Sequence, residues 1–186
     1  KTLGLKKARV HLYGGLIFST WNIDGPSFDD YMGDIKYYMD QLFCRTDNGL
    51  ELLGPPQRFV LPCNWKVPGE QSGSDGFHTL TLHRSQLFKN LAADQVEQLA
   101  TIPPQVGGMF PNILIAFIFA PRTDGGSSGA LALHTYVPKG PDKVEFVNYI
   151  FAEKDAPEQM KRDMLQNAVQ QTGTSGTIEQ DDADVW

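Results

Sequence analysis

A chain of 186 residues with 41% hydrophobic side chains is long enough to bury a substantial core as one domain, and its composition excludes disorder. A formal net charge of -6 excludes a surface built to neutralise phosphates, so neither DNA nor RNA is an expected partner. No apolar run reaches bilayer length, and the two distant cysteines, Cys44 and Cys63, make neither a disulfide framework nor a Cys/His knuckle, which suits a soluble protein of a reducing cytoplasm.

The opening "KTLGLKKARV" lacks the apolar core of a signal peptide. The chain starts near a strand and stops at "EQDDADVW" without a capping element, the pattern expected of a fragment from a longer polypeptide. "RVHLYGGLIFSTWNI" predicts one or two strands interrupted at Gly14-Gly15. In "GPSFDDYMGDIKYYMDQLF", Phe28, Tyr31, Met32, Ile35, Tyr38, Met39 and Leu42 recur at helical intervals after Ser27, predicting one amphipathic helix with a serine N-cap. "ELLGPPQRFVLPCNWKV" reads as a turn at Pro55-Pro56 and then a strand, with Trp65 and Lys66 as strand and packing residues.

"SQLFKNLAADQVEQLA" has helical character, and "TIPPQVGGMFPN" reads as a loop from its Pro and Gly content. "ILIAFIFAP", "GALALHTYVPKG" and "DKVEFVNYIFAE" are three strand-like runs separated by turn-rich segments, as in an antiparallel meander. His134 falls in the second run, where a packed, hydrogen-bonded histidine is expected; His11 is likewise read as structural. "DAPEQMKRDMLQNAVQQTG" predicts a final helix with Asp155 as N-cap, Glu158 three residues on, Gly173 as C-cap and a buried stripe of Met160, Met164, Leu165, Ala168 and Val169. Strands followed by a long helix that can lie across them indicate an α+β domain.

No phosphate-binding Gly-rich loop and no nucleophile elbow is present. Chemistry therefore falls to histidines and carboxylates. In "GEQSGSDGFHTLTLH", His78 and His83 stand five residues apart behind Asp75. On a regular helix they point roughly 140° apart, and on a strand they face opposite sides. A shared metal therefore requires an irregular backbone between them. By charge pattern alone, "EQDDADVW" is a solvated acidic tail and Asp75 a turn residue. Two imidazoles and a carboxylate nevertheless form a facial triad that suits non-haem Fe(II), and the same ligands on zinc suit hydrolysis. Spacing leaves both metals open.

"NWKVPGEQSGSDGFHTLTLH" resembles the iron-site segment of the large (α) subunits of Rieske-type aromatic-ring-hydroxylating dioxygenases. "GGLIFSTWNIDGPSFDDYMGDI", "MFPN", "HTYVPKGP", "EKDAPEQMKRDM" and "SGTIEQDD" resemble further segments of that family in the same order, across essentially the whole chain. The resemblance implies a helix-grip fold, a twisted antiparallel sheet around a long C-terminal helix, with residues 1–186 forming the mononuclear-iron catalytic domain.

It implies His78, His83 and Asp182 as ligands of Fe(II), with Asp181 as the alternative carboxylate. Asp75 corresponds to the aspartate that links the iron to the Rieske cluster of a neighbouring subunit. Gln71 stands where the family usually has Asn, and Thr79, Leu87, Thr172 and Ile178 fall at substrate-pocket positions. The implied reaction is insertion of O₂ into an aromatic ring by cis-dihydroxylation. Electrons would come from NAD(P)H through a reductase and ferredoxin, in a homotrimer of α subunits with or without a β subunit. The Cys-x-His and Cys-x-x-His of a Rieske [2Fe–2S] cluster are not in this sequence, so that cluster is expected only in a full-length protein. Two rival readings are an apolar-ligand-binding module without catalysis and a zinc hydrolase with the same ligands.

Overall fold

A computed structural model describes residues 3–75, 78–83, 106–121 and 127–186. The segment 85–100, expected to be helical, and Leu87 within it lie outside the described residues. The chain divides into two compact units, Lys1–Leu50 with Glu153–Asp155 and Glu51–Ala152 with Ala156–Trp186. No helix among the described residues is long and apolar enough to cross a membrane.

In the first unit, β1 (Arg9–Tyr13) and β2 (Leu16–Thr20) form an antiparallel hairpin. Gly14 and Gly15 turn it with φ of 54° and 82°, the left-handed backbone that a tight two-residue hairpin demands. Ser27 caps α1 (Phe28–Met32), its Oγ accepting from the Asp30 backbone N–H at 3.1 Å. The single helix expected here is in fact two, because Gly33, at φ 48°, ends α1 before α2 (Ile35–Phe43) begins. The break shifts the helical phase. Met32, Met39 and Phe43 are buried, whereas Tyr31 and Tyr38, expected in the stripe, are exposed.

The second unit holds a six-stranded sheet in which β5 (Val106–Met109), β6 (Ile113–Pro121), β7 (Ser127–Gly140) and β8 (Lys143–Glu153) follow one another antiparallel. Two short strands, β3 (Leu50–Leu52) and β4 (Gln57–Leu61), share the outer edge of β8. The meander matches expectation, but β5 lies where the sequence predicts a loop. Its glycines explain both facts: a Cβ on Gly108 would lie 2.5 Å from the Cα of Gly73. The bare strand thus lets α3 (Lys66–Ser74) approach to backbone contact. Trp65 and Lys66, expected on a strand, instead start that helix. Pro68 is tolerated there because a first-turn residue needs no intrahelical N–H bond.

Alternation along the strands puts Leu114, Ala116, Ala130, Ala132, His134, Tyr136, Val144, Phe146, Asn148, Ile150 and Ala152 on one buried face. Against its alanine-rich end packs α5 (Glu158–Thr172), through Met164 and Ala168; small strand side chains allow that close approach. Against the other end, with Leu114, Tyr136 and Phe146, pack Ala183 of α6 (Thr177–Val185) and the terminal Trp186. Gly173 caps α5 as expected, its N–H bonding to the Val169 carbonyl at 3.0 Å.

Two details of α5 differ from expectation. Its N-cap is Pro157, not Asp155; the first helical bond runs from Lys161 N–H to the Pro157 carbonyl, and the Asp155 carboxylate instead accepts from Asn48. Met160 and Val169 are 41% exposed, because at about 100° per residue they flank the Lys161–Met164–Ala168–Thr172 stripe by roughly 90° on either side.

Between the two apolar clusters lies a polar row. Asn148 donates to the carbonyl and the Oγ1 of Thr172, each at 3.0 Å. His134, expected to be hydrogen-bonded, has no partner for either ring nitrogen among the described residues. Burial depresses its imidazole from the ordinary 6.5 to about 3.

Gly108→Ala is expected to cost about 1–3 kcal/mol by overpacking backbone against backbone. Gly107→Ala, which meets nothing within 4 Å, should stay within about 0.5 kcal/mol; urea midpoints at constant slope check both. Below about 6.5 an unfolded His134 takes up a proton that the folded one refuses down to about 3. Its contribution therefore makes stability fall as pH drops through that window, by up to ~1.4 kcal/mol per pH unit. Denaturation of His134→Phe at a series of pH values should show that component gone.

Candidate metal centre

Helix α4 is a single turn, His78–Thr81, closed by the Leu82 N–H on the His78 carbonyl at 2.7 Å. His83 lies just past its end, and this irregularity removes the obstacle that the five-residue spacing poses. The two imidazoles meet with centroids 5.2 Å apart at 76°. Asp75 organises the turn: its carboxylate accepts from the His78 backbone N–H at 3.2 Å, and its backbone carbonyl accepts from His78 Nδ1. A carbonyl can only accept, so His78 carries its proton on Nδ1 and keeps a lone pair on Nε2. The Asp75 residue itself is exposed.

From the opposite side α6 brings Asp182, whose Oδ1 lies 3.2 Å from His83 Nε2 and 3.8 Å from His78 Nε2. The candidate ligand atoms of His78, His83 and Asp182 all lie within 4.8 Å of one another. Asp181 takes the other edge of the His83 ring, its Oδ2 3.4 Å from Nδ1. Burial acts to lower the His83 pKa, but Asp182 and Asp181 outweigh it and raise it above the ordinary value.

Gln71, on α3, donates its amide to Asp182 Oδ1 at 2.5 Å, and its carbonyl accepts from the indole N–H of Trp186. Trp186 thereby orients the amide so that the NH₂ faces the carboxylate. Beside it, the Tyr136 hydroxyl is 2.6 Å from Ser72 Oγ. Glu179 is buried one helical turn before Asp182; burial first, and then the Asp182 charge, push its carboxyl well above the usual carboxylate range.

The side chains present fit a divalent metal. His83 Nε2 is buried beside the Asp182 oxygen yet out of line for a hydrogen bond, and it has no hydrogen-bond partner among the described residues. The three donor atoms lie within 4.8 Å of one another, close enough to share one ion. Two imidazole nitrogens and one carboxylate oxygen form the donor set of mid-row divalent ions, and three protein ligands leave coordination positions open.

Of the expected substrate contacts, Gln71 touches Asp182, and Thr79 is placed by its backbone in α4 between the two histidines. Thr172 is buried at the end of α5 in contact with Asn148, and Ile178 is half-buried on α6. Sequence reasoning passed over Trp186 and Glu179. Their signal is their offset of plus four and minus three from Asp182, which becomes visible only once "TIEQDDADV" is read as a helix.

No protein-family model matches the chain. It is 32% identical to the α subunit of a chlorobenzene dioxygenase from Cupriavidus sp. (strain PS12), over 97% of this chain and 51% of the relative. To the α subunit of a biphenyl 2,3-dioxygenase from Rhodococcus jostii (strain RHA1) it is 29% identical, over 98% of this chain and 51% of that one. The crystal structure of a naphthalene 1,2-dioxygenase from Rhodococcus sp. bound to indole superposes with a TM-score of 0.81 at 28% identity, covering 96% of this chain and 52% of that one.

The chain is a homologue of dioxygenase α subunits. It spans about half the length of the curated relatives it matches. The α+β architecture, with an antiparallel sheet and a C-terminal helix across it, is that of the solved dioxygenase. In this α-subunit homologue the Gln71 amide steers the carboxylate, and removing it should loosen the centre. Gln71→Ala is expected to weaken divalent-metal affinity about 10–100-fold, and Trp186→Phe to weaken it less and in the same direction, as read by competition titration against a chelating dye.

Proposed function

We propose that residues 1–186 are the mononuclear-iron domain of an aromatic-ring-hydroxylating dioxygenase that inserts O₂ into an aromatic ring by cis-dihydroxylation. The observation that carries this reading is that candidate ligand atoms of His78, His83 and Asp182 lie within 4.8 Å of one another in a chain homologous to dioxygenase α subunits. On this reading these three side chains hold Fe(II). Bound there, iron supplies O₂ activation at the positions its protein ligands leave open.

The chain's own residues do the rest. Asp75, exposed at the surface while gripping His78, is the point at which electrons from a Rieske cluster enter. Asp181 locks the His83 ring so that Nε2, not Nδ1, faces Asp182. Burial and the neighbouring Asp182 charge both disfavour a charge on Glu179, which leaves Asp182 and Asp181 as the carboxylates beside the imidazoles. Phe146, Leu114, Tyr136 and Trp186 pack as an apolar wall that keeps water from the reacting ring. Gln71, Thr79, Leu87, Thr172 and Ile178 are the proposed substrate contacts.

The same reading places the helix-grip domain in a cytoplasmic α-subunit trimer, with or without a β subunit. The Rieske [2Fe–2S] cluster sits in the full-length chain and is reduced from NAD(P)H through a reductase and ferredoxin.

Anaerobic Fe(II) binding by the purified chain, quantified by elemental analysis, tests the ligand set. Near-stoichiometric iron is expected in the wild type and is expected to be lost in His78→Ala, His83→Ala and Asp182→Ala. Asp181→Ala should retain iron with affinity reduced about tenfold. Iron kept by Asp182→Ala but lost by Asp181→Ala would move the carboxylate ligand to Asp181. A folded wild type that takes up no iron would favour the metal-free binding module.

A further inference from the structure

The metal centre leaves the polar row in the core unexplained. His134 and Asn148 are cross-strand partners on β7 and β8, in a row that runs Leu114, His134, Asn148, Gln57 across four strands. They are 2% and 1% exposed. Both His134 nitrogens and Asn148 Oδ1 lack a hydrogen-bond partner among the described residues. Thr172, and more distantly Gln57 Oε1 at 3.5 Å, take the Asn148 amide N–H groups, which fixes the amide and leaves Oδ1 an acceptor without a donor among the described residues.

Each such group left bare is destabilising, and buried polar atoms in native proteins are otherwise satisfied by protein, water or ligand. Three bare atoms on adjacent residues therefore call for an occupant. Their surroundings say which kind. His134 meets Phe146 edge-on at 4.8 Å, Phe146 stacks on Phe59 at 4.7 Å, and Phe146 also meets Tyr136 at 5.5 Å. Tyr136 shares the face of His134 and reaches Ser72 and Trp186 beside the metal centre. The row is thus an isolated polar spot in an aromatic wall that continues to the candidate ligands.

Burial keeps the imidazole neutral, so it offers one N–H donor and one lone pair, while Asn148 adds a second acceptor. A hydroxyl matches that set: it accepts from the imidazole N–H and donates to the amide oxygen. An unsubstituted hydrocarbon ring satisfies none of the three atoms.

We propose that His134 and Asn148 form a subsite for a hydroxyl substituent on the aromatic substrate, so that the protein prefers hydroxylated rings over the parent hydrocarbon. The inference rests on the aromatic-substrate reading above and adds the substituent to it.

The test is the affinity of the purified chain for naphthalene and for 2-naphthol by isothermal titration. The wild type should favour 2-naphthol by about tenfold or more, since a site built to hydrogen-bond a hydroxyl discriminates strongly against the analogue lacking it. His134→Phe keeps a ring against Phe146 and should bring that ratio close to one with naphthalene affinity nearly unchanged. Equal wild-type affinities, as expected if water alone fills the row, would overturn the subsite, as would an undiminished ratio in folded His134→Phe. Failure of both ligands to bind would overturn the aromatic-substrate reading together with it.

The wild-type protein supplies a second readout that needs no variant. With ¹⁵N-labelled histidine, the His134 ring nitrogens should shift on addition of 2-naphthol and stay nearly in place with naphthalene. Bound 2-naphthol that leaves them unmoved would refute the contact.

Discussion

The Asp182 carboxylate is the point on which the second unit's functional geometry turns. A buried charge is strongly unfavourable unless it is paired and hydrogen-bonded. Among the described residues no lysine or arginine pairs with Asp182; its neighbours are His83, His78 and the Gln71 amide. These come from the end of a one-turn helix, from its first residue and from α3. Two backbone segments are thus held against α6 by a single acceptor that a cation would complete. A set of donors gathered in this way, with one imidazole nitrogen bare, is what distinguishes a ligand cage from an ordinary buried ion pair.

How Asp182 reaches that place follows from packing. Ala116, Ala130, Ala132 and Ala152 flatten the sheet under α5, and the chain then reverses within four residues into α6. The reversal needs glycine twice for want of space: a Cβ on Gly173 would lie 2.3 Å from the Val169 carbonyl, and one on Gly176 would lie 2.4 Å from the Gln171 carbonyl. On the far side, Gly108 against Gly73 brings α3 close enough for Gln71 to reach across. Glycines that do nothing chemical therefore set the distances on which the chemistry depends.

The meander was legible because each of its strands is a long apolar run between Gly- and Pro-rich turns, and the Ser27 and Gly173 caps because their side chains, or the lack of one, act locally. Elements that defy composition were not legible. Strand β5 looks like a loop until β6 supplies its hydrogen bonds. The segment at Trp65 and Lys66 looks extended until Pro68 is seen in a first helical turn. Helix α6 has no apolar stripe, because its buried positions carry Glu179 and Asp182, so hydrophobic periodicity is silent there and the run resembles a solvated tail. His134 was expected to be satisfied, as buried histidines usually are; only the packed sheet reveals that neither ring nitrogen has a partner among the described residues.

The sequence by itself determined the strand faces, the histidine pair with Asp75 in front of it, and a likeness to one enzyme family, because all three reside in local spacing and residue type. It left Asp181 and Asp182 as adjacent candidates. Tertiary structure decided how they differ. Consecutive residues on a helix diverge by about 100°, so only one of the two can turn its oxygen toward both Nε2 atoms. The phase that turns Asp182 toward them is matched by Ala183 and Trp186 packing against the sheet, a contact between residues far apart in the chain that no local pattern encodes.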